Sequence, residues 1–363
     1  MPFWNKTIAA PRWIDMIFPD RTPRYLRLTP PDEPPVPAEL SPPVRLTSAD
    51  AESLAVFWRE NYGDEDWYMD ATAEWVDTYL RDTGVIVLAI YCYAGDMVGT
   101  IVSTPFSGER TLTSNGGELD HQKMRVIEGL CISKKWRSKG IAGYLIGIMD
   151  CWTSRSGPAA HLWSREMPAA PLLTTAISTD TYAMVKTRLL EPSLGCEKMA
   201  WTEFLGFWNS SAAGWVHGNG GGGGRIVATK PVNRANHLDV WIIKKRREVE
   251  GDPRKVVVVL NTRRRAIPGD EQIYEVVWCG YLVAGRLLPN GDGRGFRPFI
   301  ESVGSKYSNS ILFVSSGRLG GEARADWPVP WRFGRSGVHS WHIYNYMPPA
   351  FGSCEIIAVR EEL

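Results

Sequence analysis

The sequence predicts an α/β (α+β) fold in which a mixed sheet is flanked by helices, and three observations carry that reading. The chain has 363 residues with 44% apolar and 22% charged side chains, ample material for a sizeable core. Short apolar runs bounded by turn residues alternate with longer runs that open on helix-capping residues. In the first half these runs come in the order helices, hairpin, strand, loop, helix, strand. Length alone allows two or three domains, or one two-lobed unit.

Residues 1–44 are rich in proline without sustained periodicity, so they read as an extended arm laid over the body. Thr47-Ser48-Ala49-Asp50 offers N-cap residues for a helix through Ala51 to Trp58, and a second helix is expected over 72–81. The longest apolar run, 85–102, is broken by Ala94-Gly95-Asp96 and reads as two strands around a turn, not as a membrane span. A polar loop is expected over 106–122, a strand over 126–132, a basic loop, a helix over 142–152 and a strand over 161–164. Residues 218–224 are almost pure glycine and read as a loop or linker. Further strands are expected at 256–260, 273–277, 311–314, 342–346 and 356–359. No short-period repeat is visible.

Composition narrows the function classes. The 41 basic and 40 acidic side chains nearly cancel, which gives no nucleic-acid footprint. Basic runs at Lys244-Lys245-Arg246-Arg247 and Arg263-Arg264-Arg265 read as solvated faces, with weak membrane-surface contact as the lesser reading. The six cysteines lie far apart with no C-x-x-C pair, which speaks against zinc and disulfides and for reduced thiols. The start of the chain has no apolar core of a signal peptide. The expectation is a soluble cytoplasmic protein without metal or prosthetic group. The sixteen tryptophans read mainly as core and interface residues.

The sharpest chemical signal is Arg137-Ser138-Lys139-Gly140-Ile141-Ala142, between an expected strand and an expected helix. Small residues at Gly140 and Ala142 let backbone N–H groups approach an anion, and the helix that opens there aims its positive dipole at it. Lys134, Lys135, Arg137 and Lys139 add charge, so a pyrophosphate suits this loop. The spacing Arg-x-x-Gly-x-Ala resembles the pyrophosphate loop of the GNAT acyltransferase superfamily. The strand ahead of it, Gly129-Leu130-Cys131-Ile132, would then end beside a thioester, where Gly129 permits a bulge that frees N–H groups for the carbonyl oxygen. Such donors contribute ~2.7–4 kcal/mol each to a developing oxyanion.

Longer stretches are similar to the protein N-myristoyltransferase family. Residues 130–139, Leu-Cys-Ile-Ser-Lys-Lys-Trp-Arg-Ser-Lys, resemble the family's Leu-Cys-Val-His-Lys-Lys-Leu-Arg-Ser-Lys. Phe3-Trp4-Asn5-Lys6-Thr7 resembles its N-terminal arm, and Glu60-Asn61-Tyr62 followed by Gly63-Asp64-Glu65-Asp66 resembles its Glu-Asn-Tyr and acidic loop. Phe333-Gly334-Arg335-Ser336-Gly337, Tyr344-Asn345-Tyr346 and Gly352 resemble its last segments.

The resemblance implies two GNAT-like lobes with mixed, strongly twisted sheets about a pseudo-twofold axis. Residues 1–44 would form the arm over the acyl-CoA, 45–200 the acyl-CoA lobe and 201–363 the peptide-side lobe. It implies transfer of a myristoyl group from myristoyl-CoA, a co-substrate, to the N-terminal glycine amine of a peptide or protein. Phe3 and Trp4 would touch the acyl-CoA, Gly129 and Leu130 would give the oxyanion donors, and Cys131 and Ile132 would continue that strand. Arg137, Ser138, Lys139, Gly140, Ile141 and Ala142 would hold the pyrophosphate. Tyr62, Asp64, Asp66, Ser164, Gly337 and Tyr344 would face the peptide, with the acidic loop favouring basic residues after the glycine.

The chain also departs from the family. Gly129 stands for a Phe, Gly140 for an Arg and Glu128 for an Asn. Ser336-Gly337 lacks the peptide-side Asp, and Tyr182-Ala183-Met184 is the nearest counterpart of a Tyr-Trp-His stretch. The family's base is its terminal carboxylate. Aligned on Gly352, this chain runs two residues past Glu361, so either the Glu361 side chain or the Leu363 carboxylate would serve. Two other classes stay open: a GNAT enzyme using acetyl- or another short acyl-CoA, and a non-catalytic acyl-CoA or acyl-peptide binder.

Overall fold

The computed structural model describes residues 24–25, 28–82, 84–106, 124–155, 157, 159–166, 175–215, 225–227, 237–243, 252–289, 295–315, 331, 335–344, 346–347 and 355–357. Most of the expected arm, the polar loop and the glycine run lie outside these residues.

Two short strands, β1 (Arg24–Tyr25) and β2 (Val44–Arg45), precede the first helix. Capping decides where that helix begins. The Thr47 backbone N–H and hydroxyl both donate to Asp50 Oδ2, at 2.8 and 3.0 Å, and after one 3₁₀ turn α1 runs over Ala51–Asn61. After β3 (Trp67–Met69), Thr72 Oγ1 accepts from the Trp75 N–H at 3.3 Å and opens α2 (Ala73–Leu80). Strands β4 (Ile86–Tyr91), β5 (Met97–Phe106) and β6 (Met124–Ile132) follow, then α3 (Ile141–Ser154) and β7 (Ala160–Glu166). The two sheet faces are separate cores. Trp58, Trp75, Val87 and Val102 pack under α1 and α2, whereas Leu88, Ile90, Ile101 and Ile127 pack against Leu145 and Met149 of α3.

The second half contains β8 (Thr175–Lys186), β9 (Cys196–Met199), α4 (Trp201–Trp215), β10 (Arg225–Val227), β11 (Leu238–Ile243), β12 (Arg254–Ala266) and β13 (Gln272–Val283). It ends with β14 (Arg286–Pro289), α5 (Arg297–Gly304), β15 (Ser310–Ser315), β16 (Arg335–Tyr344), β17 (Tyr346–Met347) and β18 (Glu355–Ile357). The expected strand at 342–346 is corrected: its backbone pairs from Arg335 and stops at Tyr344. Sequence reading anticipated neither β8, whose Thr and Ser residues hide a central strand, nor α4, whose apolar residues surround the helix without one stripe. The short elements β9, β11, β14 and α5 were likewise not anticipated.

The two halves join edge to edge. Among the described residues one large sheet runs β2-β4-β5-β6-β7-β16-β8-β15-β13-β12-β11-β9. This order reads alike from both ends. The pair β6/β7 is parallel and so is β13/β15, with α3 and α5 as the respective crossovers, while the other pairs along that path are antiparallel. The strand that follows β7, β8, pairs with β15 of the other half, and the strand that follows β15, β16, pairs with β7. Exchange of these two strands makes the pseudo-twofold relation. Cys196–Met199, ahead of residue 200, pairs with β11 in the second half.

Candidate functional site

The site begins with a fault in the β5/β6 register. Thr100 opposes Cys131 and Val102 opposes Glu128, so Gly129 and Leu130 together face Ile101. This is a β-bulge whose first residue, Gly129, has φ +58°, a left-handed conformation that glycine takes without the Cβ penalty. A buried relay fixes it: Trp58 Nε1 donates to Thr100 Oγ1 at 3.0 Å, and that hydroxyl donates to the Gly129 carbonyl at 3.2 Å. On its other edge β6 pairs with β7 only from Met124 to Val126, while β7 continues alongside β16. The two parallel strands therefore splay. Beyond Val126 no strand among the described residues covers that edge of β6.

The chain then makes a 3₁₀ turn over Lys134–Trp136 and enters α3 through Gly140, whose φ is +79°. A Cβ on Gly140 would meet nothing within 4 Å, so backbone conformation, not space, requires the glycine. Ser138 is also left-handed, at φ +64°. The Gly140 carbonyl accepts from the Tyr144 N–H at 3.2 Å, and the N–H groups of the first turn have no partner within the helix. That turn carries no acidic residue. Ile141 and Ala142 of this turn line the cleft described below, so the positive helix end borders it, a site for a phosphate-type anion.

The basic side chains are not equivalent. The Arg137 guanidinium donates to the carbonyls of Ile132 (3.3 Å), Asn61 (2.8 Å) and Gly63 (3.5 Å), tying the anion loop to the end of α1. The Lys134 N–H adds a bond to Asn61 Oδ1 at 3.1 Å. The Lys139 ammonium lies 4.1 Å from the centre of the Trp136 ring. Lys134 and Lys135 are exposed.

These pieces border one cleft of about 580 Å³, lined on one side by Leu130, Cys131 and Ile132, and on another by Arg137, Ser138, Gly140, Ile141 and Ala142. Asn61, Tyr62, Gly63, Trp67 and Trp136 complete the lining. The Tyr62 and Trp67 rings lie 5.7 Å apart, and Arg264 covers Trp67 at 4.4 Å. Burial pushes the Cys131 thiol up to about 12, against the opposing pull of Arg137 and Lys134. It is a neutral core thiol, not a nucleophile.

The structure thus brings Tyr62 to the same cleft as the expected strand and anion loop. Gly129 forms the bulge beside it. Asp64 is engaged locally: its Oδ1 accepts from the N–H groups of Asp66 (2.7 Å) and Trp67 (3.2 Å), closing an Asx turn. The Asp66 carbonyl accepts from the Ile267 N–H of the other half at 2.7 Å. Ser164, Gly337 and Tyr344 lie on β7 and β16 at the seam, opposite Trp341, Tyr182 and His161 respectively. Phe3, Trp4, Glu361 and Leu363 lie outside the described residues. Sequence reasoning missed Trp67 and Trp136 as cleft residues, because an indole carries no signal that separates a wall from a core.

No family model matches the sequence, and no curated protein matches it. Solved structures do. One of the Saccharomyces cerevisiae N-myristoyltransferase with bound myristoyl-CoA superposes with a TM-score of 0.57 at 11% identity, covering 95% of this chain and 92% of that one. A second, with bound myristoyl-CoA and inhibitors, gives 0.62 at 12% identity, covering 95% and 90%. The chain has the fold of the N-myristoyltransferases, with two lobes in a pseudo-twofold arrangement.

Proposed function

We propose that this chain is an acyl-CoA-dependent N-acyltransferase, and that it carries a myristoyl or similar long acyl group to the N-terminal glycine amine of a peptide or protein. One observation carries the reading: a single cleft joins a splayed, bulged strand to a helix N-terminus whose entry is left-handed. Thioester and diphosphate are the two polar ends of the reactive half of an acyl-CoA. The fold likeness to structures holding myristoyl-CoA supports the long acyl chain.

In this reading the loop of Arg137, Ser138, Lys139, Gly140, Ile141 and Ala142 holds the diphosphate and the N–H groups at Gly129 and Leu130 receive the thioester oxygen. Tyr62, Asp64, Asp66, Ser164, Gly337 and Tyr344 are assigned to the peptide path. The amine attacks the thioester directly. An α-amino group titrates near ~7.7–8.0, so a fraction is already neutral at neutral pH and only a weak base is needed. Neither the neutral Cys131 thiol nor any other nucleophile takes part.

The test is mass spectrometry of ligand retained through purification, followed by turnover assays with matched acyl-CoAs and a glycine peptide. The expected result is a bound long-chain acyl-CoA, with CoA release matching peptide acylation. Turnover with acetyl-CoA alone would select a short-chain N-acyltransferase. Tight acyl-CoA binding without turnover on any amine would make the chain a binding protein.

A further inference from the structure

The proposed reaction needs a proton acceptor beside the amine, and strands β5 and β6, which build the bulge, carry a single carboxylate between them, Glu128. Ordinary alternation would send Glu128 and Cys131, three positions apart, to opposite faces. The bulge reverses this. Glu128 opposes Val102 and Cys131 opposes Thr100, two positions apart on β5, so both side chains leave on the face covered by α1 and α2. Cys131 lines the cleft, and Glu128 is the next side chain along that face. Between them lie Gly129 and Leu130, the backbone donors assigned to the thioester oxygen. Glu128 itself stands one side chain beyond the cleft wall at Cys131, and a two-residue step along β5 is about 7 Å, a gap that the glutamate side chain and one water span.

The carboxylate is also held in place. Glu128 Oε1 accepts from Thr104 Oγ1 at 2.5 Å, which fixes the side chain across the strands, and the residue is half-buried. A fixed, partly solvated carboxylate is the weak base this amine requires.

We infer that Glu128 is the general base of the acyl transfer, which rests on the functional reading above. The neutral amine nitrogen attacks the thioester carbon and the C–N bond forms. Glu128 takes a proton from that nitrogen. The tetrahedral intermediate collapses with cleavage of the C–S bond, and the departing sulfur is protonated by the Glu128 carboxyl or by water. The products are amide and free thiol, and the carboxylate is restored.

The test uses the full chain with myristoyl-CoA and two nucleophiles: a glycine peptide, and the same peptide with an aminooxy group, which is neutral at neutral pH. In Glu128→Gln, kcat on the glycine peptide should fall by about 10²–10⁴, with acyl-CoA affinity unchanged and a much smaller loss on the aminooxy peptide. Glu128→Asp should keep part of the activity. Wild-type turnover in Glu128→Gln would overturn the inference, all the more clearly if Glu361→Gln or a short C-terminal extension abolished it. Equal losses on both nucleophiles, with a lowered melting temperature, would reduce Glu128 to a structural residue and overturn it as well. If the wild type binds acyl-CoA but acylates neither peptide, the functional reading itself fails. If the wild type is active, only the base is at stake.

Discussion

Gly140 separates two effects that usually travel together. Its left-handed φ faces empty space, so a substituted side chain meets only the backbone penalty. Gly140→Ala should cost about 1–2 kcal/mol of stability and Gly140→Asn less, because Asn visits that region more readily. Gly140→Asp should be tolerated by the fold, since a carboxylate at a helix N-terminus is favourable. The same carboxylate would stand where the diphosphate is proposed to sit. Thermal melts should rank Ala below Asn and Asp, and calorimetric titration should find acyl-CoA binding lost in Asp alone. Retained binding in the Asp variant would remove the diphosphate from this helix end.

At the scale of elements, the bulge depends on α1 as much as on β6. Trp58 of α1 reaches across to Thr100, and Thr100 to the Gly129 carbonyl, so a helix holds the geometry of a strand fault. Trp58→Phe keeps most of the packing and deletes the donor. Loss of one partner in a buried bond costs about 1–3 kcal/mol, so the melting temperature should drop while the fold persists. If the relay aligns the oxyanion donors, kcat should fall and acyl-CoA affinity should stay within about twofold of wild type. A fall in stability with kcat unchanged would confine the relay to folding. In the acidic loop Asp64 closes its own turn, which Asn can also close, but it keeps an exposed charge, so an effect of Asp64→Asn on the choice of basic peptides should weaken as salt rises.

The whole molecule repeats one plan twice, with a difference between the halves. Both halves have a bulge on the strand before the parallel pair, at Gly129 in β6 and at Val277 in β13. Both parallel pairs are short, ending at Val126 and at Glu275. Beyond that point the halves differ. In the second half β14 pairs with Gly280–Val283 of β13 and fills the edge that, among the described residues, β6 leaves uncovered in the first. Leu287 of that strand is fully buried, and its N–H donates to Ser211 Oγ at 2.7 Å, so the plug is part of the core. One acyl-CoA per chain is the expected stoichiometry, measured by native mass spectrometry with excess ligand. Two bound molecules would show that the second slot opens.

The sequence by itself determined the features whose cause is local. Thr47 and Asp50 cap a helix, Gly140 turns the chain into α3 and Gly129 permits a bulge, because each rests on the φ/ψ range and donor inventory of a few neighbouring residues. The strands of the first half were legible for the same reason: apolar runs with turn residues between them. Tertiary structure alone decided what depends on distant partners. That β8 and β16 trade places between halves rests on pairing with strands far away in the chain, and no local pattern in Thr175–Lys186 records it. Arg137 reads as an anion ligand, yet its guanidinium holds carbonyls more than seventy positions earlier in the chain. Glu128 reads as a departure from the family's Asn without a stated role, and only the register of β5 against β6 turns it to the sheet face it shares with Cys131. A bulge changes the face of every side chain beyond it, and register is a property of two strands, not of one.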